Sequence, residues 1–233
     1  MSQSMWGPAI AGGVIGAALT LTAGAVLLPR LAPELVRNAL IDEPQMLVEA
    51  SNALQSQQFE PVLKANRELI ETPYENSWVG AEEPEVIMVE FFDYACGYCR
   101  QTKPDIDRLV EEMPNLRVVY RELPVLGQNS VIAARASMAA SRAGKFKEFH
   151  DALFEEGQLS QQAIAGALEQ VGLSPDVAVS DEHDEELRKN FELASLFGQP
   201  GTPLFIIGDR VIPAAEGYDS YKSAIEATLR NAG

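Results

Sequence analysis

Cys96 and Cys99 are the only two cysteines in the 233-residue chain, and they stand three apart in Phe91-Phe92-Asp93-Tyr94-Ala95-Cys96-Gly97-Tyr98-Cys99-Arg100. On a helix beginning near Cys96 this spacing puts both sulfurs on one face and within disulfide reach, so the pair can be oxidised and reduced without moving the backbone. A four-ligand zinc site would need two further cysteines or histidines at ligand spacing, and the chain offers only His150 and His183, in different segments. A purely structural disulfide across so short a gap would remove little loop entropy from the unfolded chain. Thiol–disulfide redox chemistry is the reading that remains.

The neighbouring sequence supplies the elements that would position the pair. Val86 to Phe92 is an apolar, β-branched and aromatic run of strand length, and Gln101 to Met113 switches to helical spacing through Ile106, Leu109, Val110 and Met113. The cysteines therefore belong to a strand-to-helix turn, where helix N-terminal amides stabilise a thiolate. Leu116 to Arg121 is a second strand, and its connection through a helix makes the pair parallel, a βαβ unit. Helical patterns follow. Asn129 or Ser130 opens an Ala-rich helix to Arg142, then Phe146, Phe149, His150, Leu153 and Phe154 share one face, Ser160 caps a helix to Val171, and Leu187, Phe191 and Ala194 mark another. His150, on an apolar face, reads as a core residue rather than a catalyst. Leu204 to Ile207 and Arg210 to Ile212 form a hairpin about Gly208-Asp209, and a last helix takes Tyr221 to Arg230.

Composition bounds the partners. A formal charge of −16 argues against nucleic acid or an anionic membrane surface, both of which would repel the chain, and a 46% hydrophobic content is ample for a core. From Met1 through Pro29 there is no ionisable side chain, and Trp6 to Leu28 is apolar and long enough to cross a bilayer as a helix. Residues 1–29 read as an export signal or a membrane anchor. Arg30 and Arg37 after this run weakly favour a cytoplasmic C-terminus on the positive-inside rule, but a reactive dithiol behind an apolar leader makes most sense in an oxidising compartment, periplasmic or otherwise extracytoplasmic.

Residues 30–75 carry three apolar stripes, Leu35 to Leu40, Met46 to Leu54, and Phe59 to Ile70, the last entered at Pro61 as a helix of its own. They hold too much apolar surface for a tether, so the segment 33–71 is expected to associate with its counterpart on another chain; the alternative is packing on its own domain. Thr72 to Glu85, rich in acids and with two prolines, reads as a linker into a main domain at 76–233.

A βαβ unit, a helical insert over about 127–198, then β-β-α is the order of an α/β thioredoxin fold interrupted by a helical domain. The stretch Glu90 to Cys99, together with Gly201-Thr202-Pro203 before the late strand, resembles the DsbA family of exported thiol–disulfide oxidoreductases. Within that family the chain is most similar to the ScsC-like branch, whose members carry an N-terminal helical extension. The resemblance covers roughly Trp78 to Asn231.

It implies that Cys96 is the exposed nucleophile and Cys99 the buried resolving thiol. Glu90 is implied to be an acid beneath the disulfide that relays a proton to Cys99. Pro203 is implied to be a cis-proline facing the disulfide, with the Thr202 backbone, Gly97 and Tyr98 meeting substrate. Pro104 fits the kink of the active-site helix. The reaction so implied is thiolate exchange through a mixed disulfide, with no metal and no cofactor beyond the Cys96–Cys99 disulfide. Implied partners are cysteine-containing exported proteins and a membrane redox protein that recycles the dithiol. Gly97-Tyr98 differs from the Pro-His pair of the strongly oxidising archetype, and Asp93 near Cys96 would oppose the thiolate, so a less oxidising couple is expected. Disulfide formation and isomerisation stay open. Two other classes remain, a Cu(I)-handling dithiol protein, since soft thiolates suit that ion, and a chaperone or assembly protein with secondary redox activity.

Overall fold

The structure, a computed structural model, describes residues 33–34, 36–198 and 201–232. The expected leader at 1–29 lies outside them. Among the described residues no helix is long and apolar enough to cross a membrane.

Five strands form one mixed sheet in the order β1-β3-β2-β4-β5, with β1 at Trp78–Gly80, β2 at Val86–Phe92, β3 at Leu116–Glu122, β4 at Leu204–Ile207 and β5 at Arg210–Ile212. β2 and β3 are parallel, joined through helix α3 (Gly97–Glu112), and the other three pairings are antiparallel. The helical block between β3 and β4 holds α4 (Gln128–Arg142), α5 (Phe146–Glu155), α6 (Gln161–Gln170), a 3-10 turn at Pro175–Val179 and α7 (Asp184–Ser195), and α8 (Tyr218–Ala232) closes the chain.

Strand alternation sorts the side chains into two cores. Met88, Phe92, Val118, Tyr120, Phe205 and Ile207 face one side, where α3, α8 and the helical insert cover them. Val89, Phe91, Val119, Leu204 and Ile206 face the other, against Leu63 and Ile70 and against Leu193 and Ala194 of α7. The strands are apolar on both sides because both sides are covered.

The N-terminal region departs from expectation. Residues 36–42 are helical (α1), and α2 is one 27-residue helix, Gln45–Glu71, that runs through Pro61. Pro61 is exposed and its missing amide frees only the carbonyl of exposed Gln57, so the helix continues where the sequence suggested a new start. The chain divides into compact units between Leu54 and Gln55 rather than at 75/76. The reason is burial. Leu63 and Ile70 sit in the second core and Phe59 packs edge-on to Phe197, at 5.5 Å between ring centres. The Phe59 to Ile70 stripe is therefore used within its own chain and is not free for a second copy. In the first unit Val36, Ile41, Met46, Leu47, Val48 and Leu54 remain exposed.

Arg121 fastens the end of α2. Its buried guanidinium donates to the carbonyls of Ile70 (2.8 Å), Thr72 (2.6 Å) and Leu69 and to Asn190 Oδ1 (2.7 Å), supplying donors to a helix C-terminus that otherwise lacks them. The expected linker also contains structure. β1 is a short edge strand paired to β3, and a Cβ at its Gly80, where φ is +99°, would lie 2.3 Å from the Leu116 carbonyl oxygen.

Candidate active site

Cys96 occupies the N-cap position of α3, and as a thiol it makes no conventional cap hydrogen bond. Once it is charged, its sulfur stands where a capping oxygen would, with the amides of Tyr98 and Cys99, the second and third residues of the helix, directed at it. The Cys99 thiol, the Thr202 side chain and those two amides together outweigh desolvation and lower the Cys96 pKa to about 5, the Cys99 hydrogen bond contributing most. Cys99, one turn inside the helix, moves the other way: burial, its bond to Cys96 and the nearby Glu90 carboxyl push its thiol far up. The two sulfurs are both free thiols and are chemically unequal.

The expectation of an exposed Cys96 needs correction. Cys96 is 5% exposed and Cys99 2%, while Ala95, Gly97 and Tyr98 around them are open to solvent. The loop before β4 is what closes over Cys96. Its Thr202–Pro203 bond is cis, and Cys96 Sγ, as a thiol, donates to the Thr202 carbonyl at 3.2 Å. Beside this contact a groove of ≈ 400 Å³ is lined by Tyr98, Thr202, Pro203, Pro213, Ala214 and Ala215. Tyr98, 63% exposed, forms its rim.

Glu90 answers a question that strand alternation left open. It shares the face of Met88 and Phe92, beneath α3, and is 2% exposed. Burial, reinforced by the Cys96 charge, raises its pKa well above the carboxylate range. The Thr102 side chain, which also donates to the Cys99 carbonyl at 3.0 Å, opposes this rise by hydrogen bonding to Glu90, but burial outweighs it. Its Oε1 has no partner among the described residues.

Asp93 does not act as anticipated. Its carboxylate accepts from the amides of Ala95 (2.8 Å), Val125 (2.9 Å) and Leu126 (2.9 Å), so its charge is consumed in tying the turn after β2 to the loop after β3. His150 is 3% exposed among Phe92, Tyr120, Phe146 and Phe154, lies 3.2 Å from the Tyr94 hydroxyl, and is held neutral by a pKa that burial lowers to about 3. α3 runs unbroken through Pro104.

The seven site residues read from the sequence, Glu90, Cys96, Gly97, Tyr98, Cys99, Thr202 and Pro203, gather at this one turn. Sequence reasoning missed Thr102, the Asp93 latch and the Pro213 to Ala215 wall. Thr102 and Asp93 carry a local signal, a hydroxyl three residues after Cys99 and a carboxylate at a strand end. The wall carries none, because only folding brings it to Pro203.

The model of the DSBA-like thioredoxin domain matches residues 87–226, and the chain belongs to that family. A thioredoxin-like oxidoreductase from Silicibacter pomeroyi is 32% identical, over 71% of this chain and 98% of that one, at a TM-score of 0.66. A periplasmic thioredoxin-like protein from Salmonella enterica serovar Typhimurium is 30% identical over 70% and 95%, TM-score 0.65. Proteus mirabilis ScsC in a compact conformation is 26% identical over 87% and 99%, TM-score 0.67. Among curated proteins, a Na(+)/H(+) antiporter NhaA 1 from Salinispora arenicola is 32% identical over 159 residues, which are 64% of this chain and 24% of the antiporter. The chain thus matches about a quarter of that relative's length.

Proposed function

We propose that this chain is an extracytoplasmic thiol–disulfide oxidoreductase that forms or reshuffles disulfides in exported proteins. The observation that carries the reading is the unequal pair, an acidified Cys96 at a helix start and a buried, high-pKa Cys99, with the Thr202 carbonyl 3.2 Å from the Cys96 sulfur. The family match and the oxidoreductase and periplasmic neighbours support it.

In the oxidising direction a substrate thiolate attacks Cys96 Sγ of the Cys96–Cys99 disulfide. A substrate–Cys96 bond forms, and Cys99 leaves as a thiolate. Its high pKa demands a proton, which Glu90 is placed to supply and later recover from solvent. A second substrate thiolate then attacks the substrate sulfur of the mixed disulfide and expels Cys96 as a stable thiolate. Two electrons pass to the protein, the substrate gains one disulfide, and a membrane redox partner reoxidises the dithiol. The reaction draws on no metal or organic cofactor.

A Cu(I) role is the weaker reading, because among the described residues no group of three or more His, Cys, Asp or Glu converges on the pair. The exposed apolar residues Val36 to Leu54 support self-association, which would bring several Cys96 sites together and favour isomerisation. Insulin reduction beside refolding of scrambled ribonuclease, with glutathione equilibration, tests the function. The expected potential lies at about −130 to −220 mV. A potential near the ~−270 mV of a dedicated reductant would overturn the reading.

A further inference from the structure

Tyr98 and Arg100 lie about 200° apart around the axis of α3, so they border the Cys96 turn on opposite sides. Tyr98 belongs to the apolar groove of Thr202, Pro203 and Pro213 to Ala215. Arg100 belongs to a second hollow of ≈ 440 Å³, with Ala95, Gly157, Gln158 and Leu159. Among the described residues Arg100 is the one charged side chain lining either space.

Its bonding is unusual for this molecule. The chain has 34 acidic residues against 18 Lys and Arg, and most of its cations are paired with carboxylates. Arg100 forms no ion pair among the described residues. It gives Nε to the Phe154 carbonyl (3.3 Å) and one N–H of Nη2 to the Tyr94 carbonyl (3.4 Å), both long bonds, and a guanidinium has five N–H donors in all. The two tethers hold the group in place beside Ala95, the residue before the nucleophile, and leave donors for a planar acceptor.

On the reading of this chain as an oxidoreductase for protein cysteines, we propose that Arg100 is a specificity residue that binds the carboxylate of an Asp or Glu flanking the reacting cysteine of the substrate. An extended substrate that crosses Cys96 from the Pro203 groove enters the hollow of Arg100 with its next residues. A carboxylate there meets the one charged side chain that lines the hollow among the described residues, on a strongly acidic molecule, while a lysine meets like charge. The chain would thereby select acidic exported segments that the rest of its surface repels.

The test uses the full chain, oxidised, and dithiol peptides identical except for Glu, Gln or Lys at a single position, placed in turn on either side of the reacting cysteine. Because every peptide meets the same Cys96, ratios of oxidation rates cancel changes in Cys96 reactivity, and dividing each rate by that of the same peptide with oxidised glutathione at the same salt cancels differences in the peptides' own thiols. At one of the two positions the wild type should prefer Glu to Gln by about fivefold, the factor given by a pair at the upper end of surface ion-pair strengths. The preference should fall toward one with added salt. Arg100→Gln should flatten it, Arg100→Lys should retain part of it, and Arg100→Glu should invert it in favour of Lys.

Equal wild-type rates for all peptides, a salt-independent preference, or an unchanged order in Arg100→Glu would overturn the proposal. The salt series needs only the wild type, so it decides even where a variant does not fold. Equal rates would leave the oxidoreductase reading standing; oxidation of no peptide at all would remove both.

Discussion

Replacing Cys99 by alanine removes the largest influence holding Cys96 near pKa 5, the thiol hydrogen that Cys99 directs at its sulfur. A hydrogen bond to a charged group contributes ~1.5–3 kcal/mol, and 1.36 kcal/mol corresponds to one pKa unit, so Cys96 should rise by about 1–2 units, to about 6–7. It should stop short of an ordinary thiol near ~8.5, because the Thr202 side chain and the Tyr98 amide remain. Cys99→Ser keeps a donor at the same place and should titrate within about half a unit of the wild type. The measurement is the rate of alkylation, with thiolate absorbance, against pH on each reduced protein. The sign also has a thermodynamic consequence. The folded Cys96 pKa lies below that of the unfolded chain, so its ionisation stabilises the reduced fold fully above about pH 8.5 and loses that contribution as pH falls through about 5. The oxidised protein lacks this titration, so the stability of the reduced form relative to the oxidised one should rise with pH across that window. Identical titrations for Cys99→Ala and Cys99→Ser would refute the hydrogen-bond account, and a wild-type Cys96 near ~8.5 would refute the role itself.

Glu90→Gln preserves the shape of the protonated acid but cannot deliver a proton, so insulin reduction should slow by about tenfold or more. Because burial raises the Glu90 pKa on folding, wild-type stability declines as pH rises above the ordinary carboxylate range, and the variant's stability relative to wild type should increase with pH from there; a constant difference would count against a buried, protonated Glu90. Arg121→Ala leaves the carbonyls of Leu69, Ile70 and Thr72 without their donor and should cost about 3 kcal/mol or more in urea unfolding, whereas a loss below ~1 kcal/mol would show the clamp to be dispensable. Leu47→Glu with Leu54→Glu should reduce the sedimenting mass of the full chain to that of a monomer without altering Cys96 alkylation, and a wild type already monomeric would remove the basis for preferring isomerisation.

The candidate pair Cys96 and Cys99 was legible because its signal is local: a strand, a turn and a helix in unbroken sequence. The Thr202–Pro203 pairing came from resemblance, since nothing in the spacing between residues 99 and 202 says that they meet. Other readings changed for physical reasons that sequence does not carry. Pro61 marks a helix start by propensity, yet an exposed proline costs α2 only one solvent-facing bond. β1 is too short for a pattern and exists because β3 offers an open edge. Asp93 looked like a charge opposing the thiolate, and it became a ligand of three amides once folding brought Val125 and Leu126 beside it.

That last contact restricts how this site can diversify. One carboxylate joins the turn bearing Cys96 to the loop bearing the exposed Val125 and Leu126, so lengthening either loop would pull the other out of register. The side chains at 125 and 126 can be exchanged without disturbing this latch, because Asp93 engages only their backbone amides. The apolar character of this surface can drift freely while the geometry of the nucleophile is inherited intact.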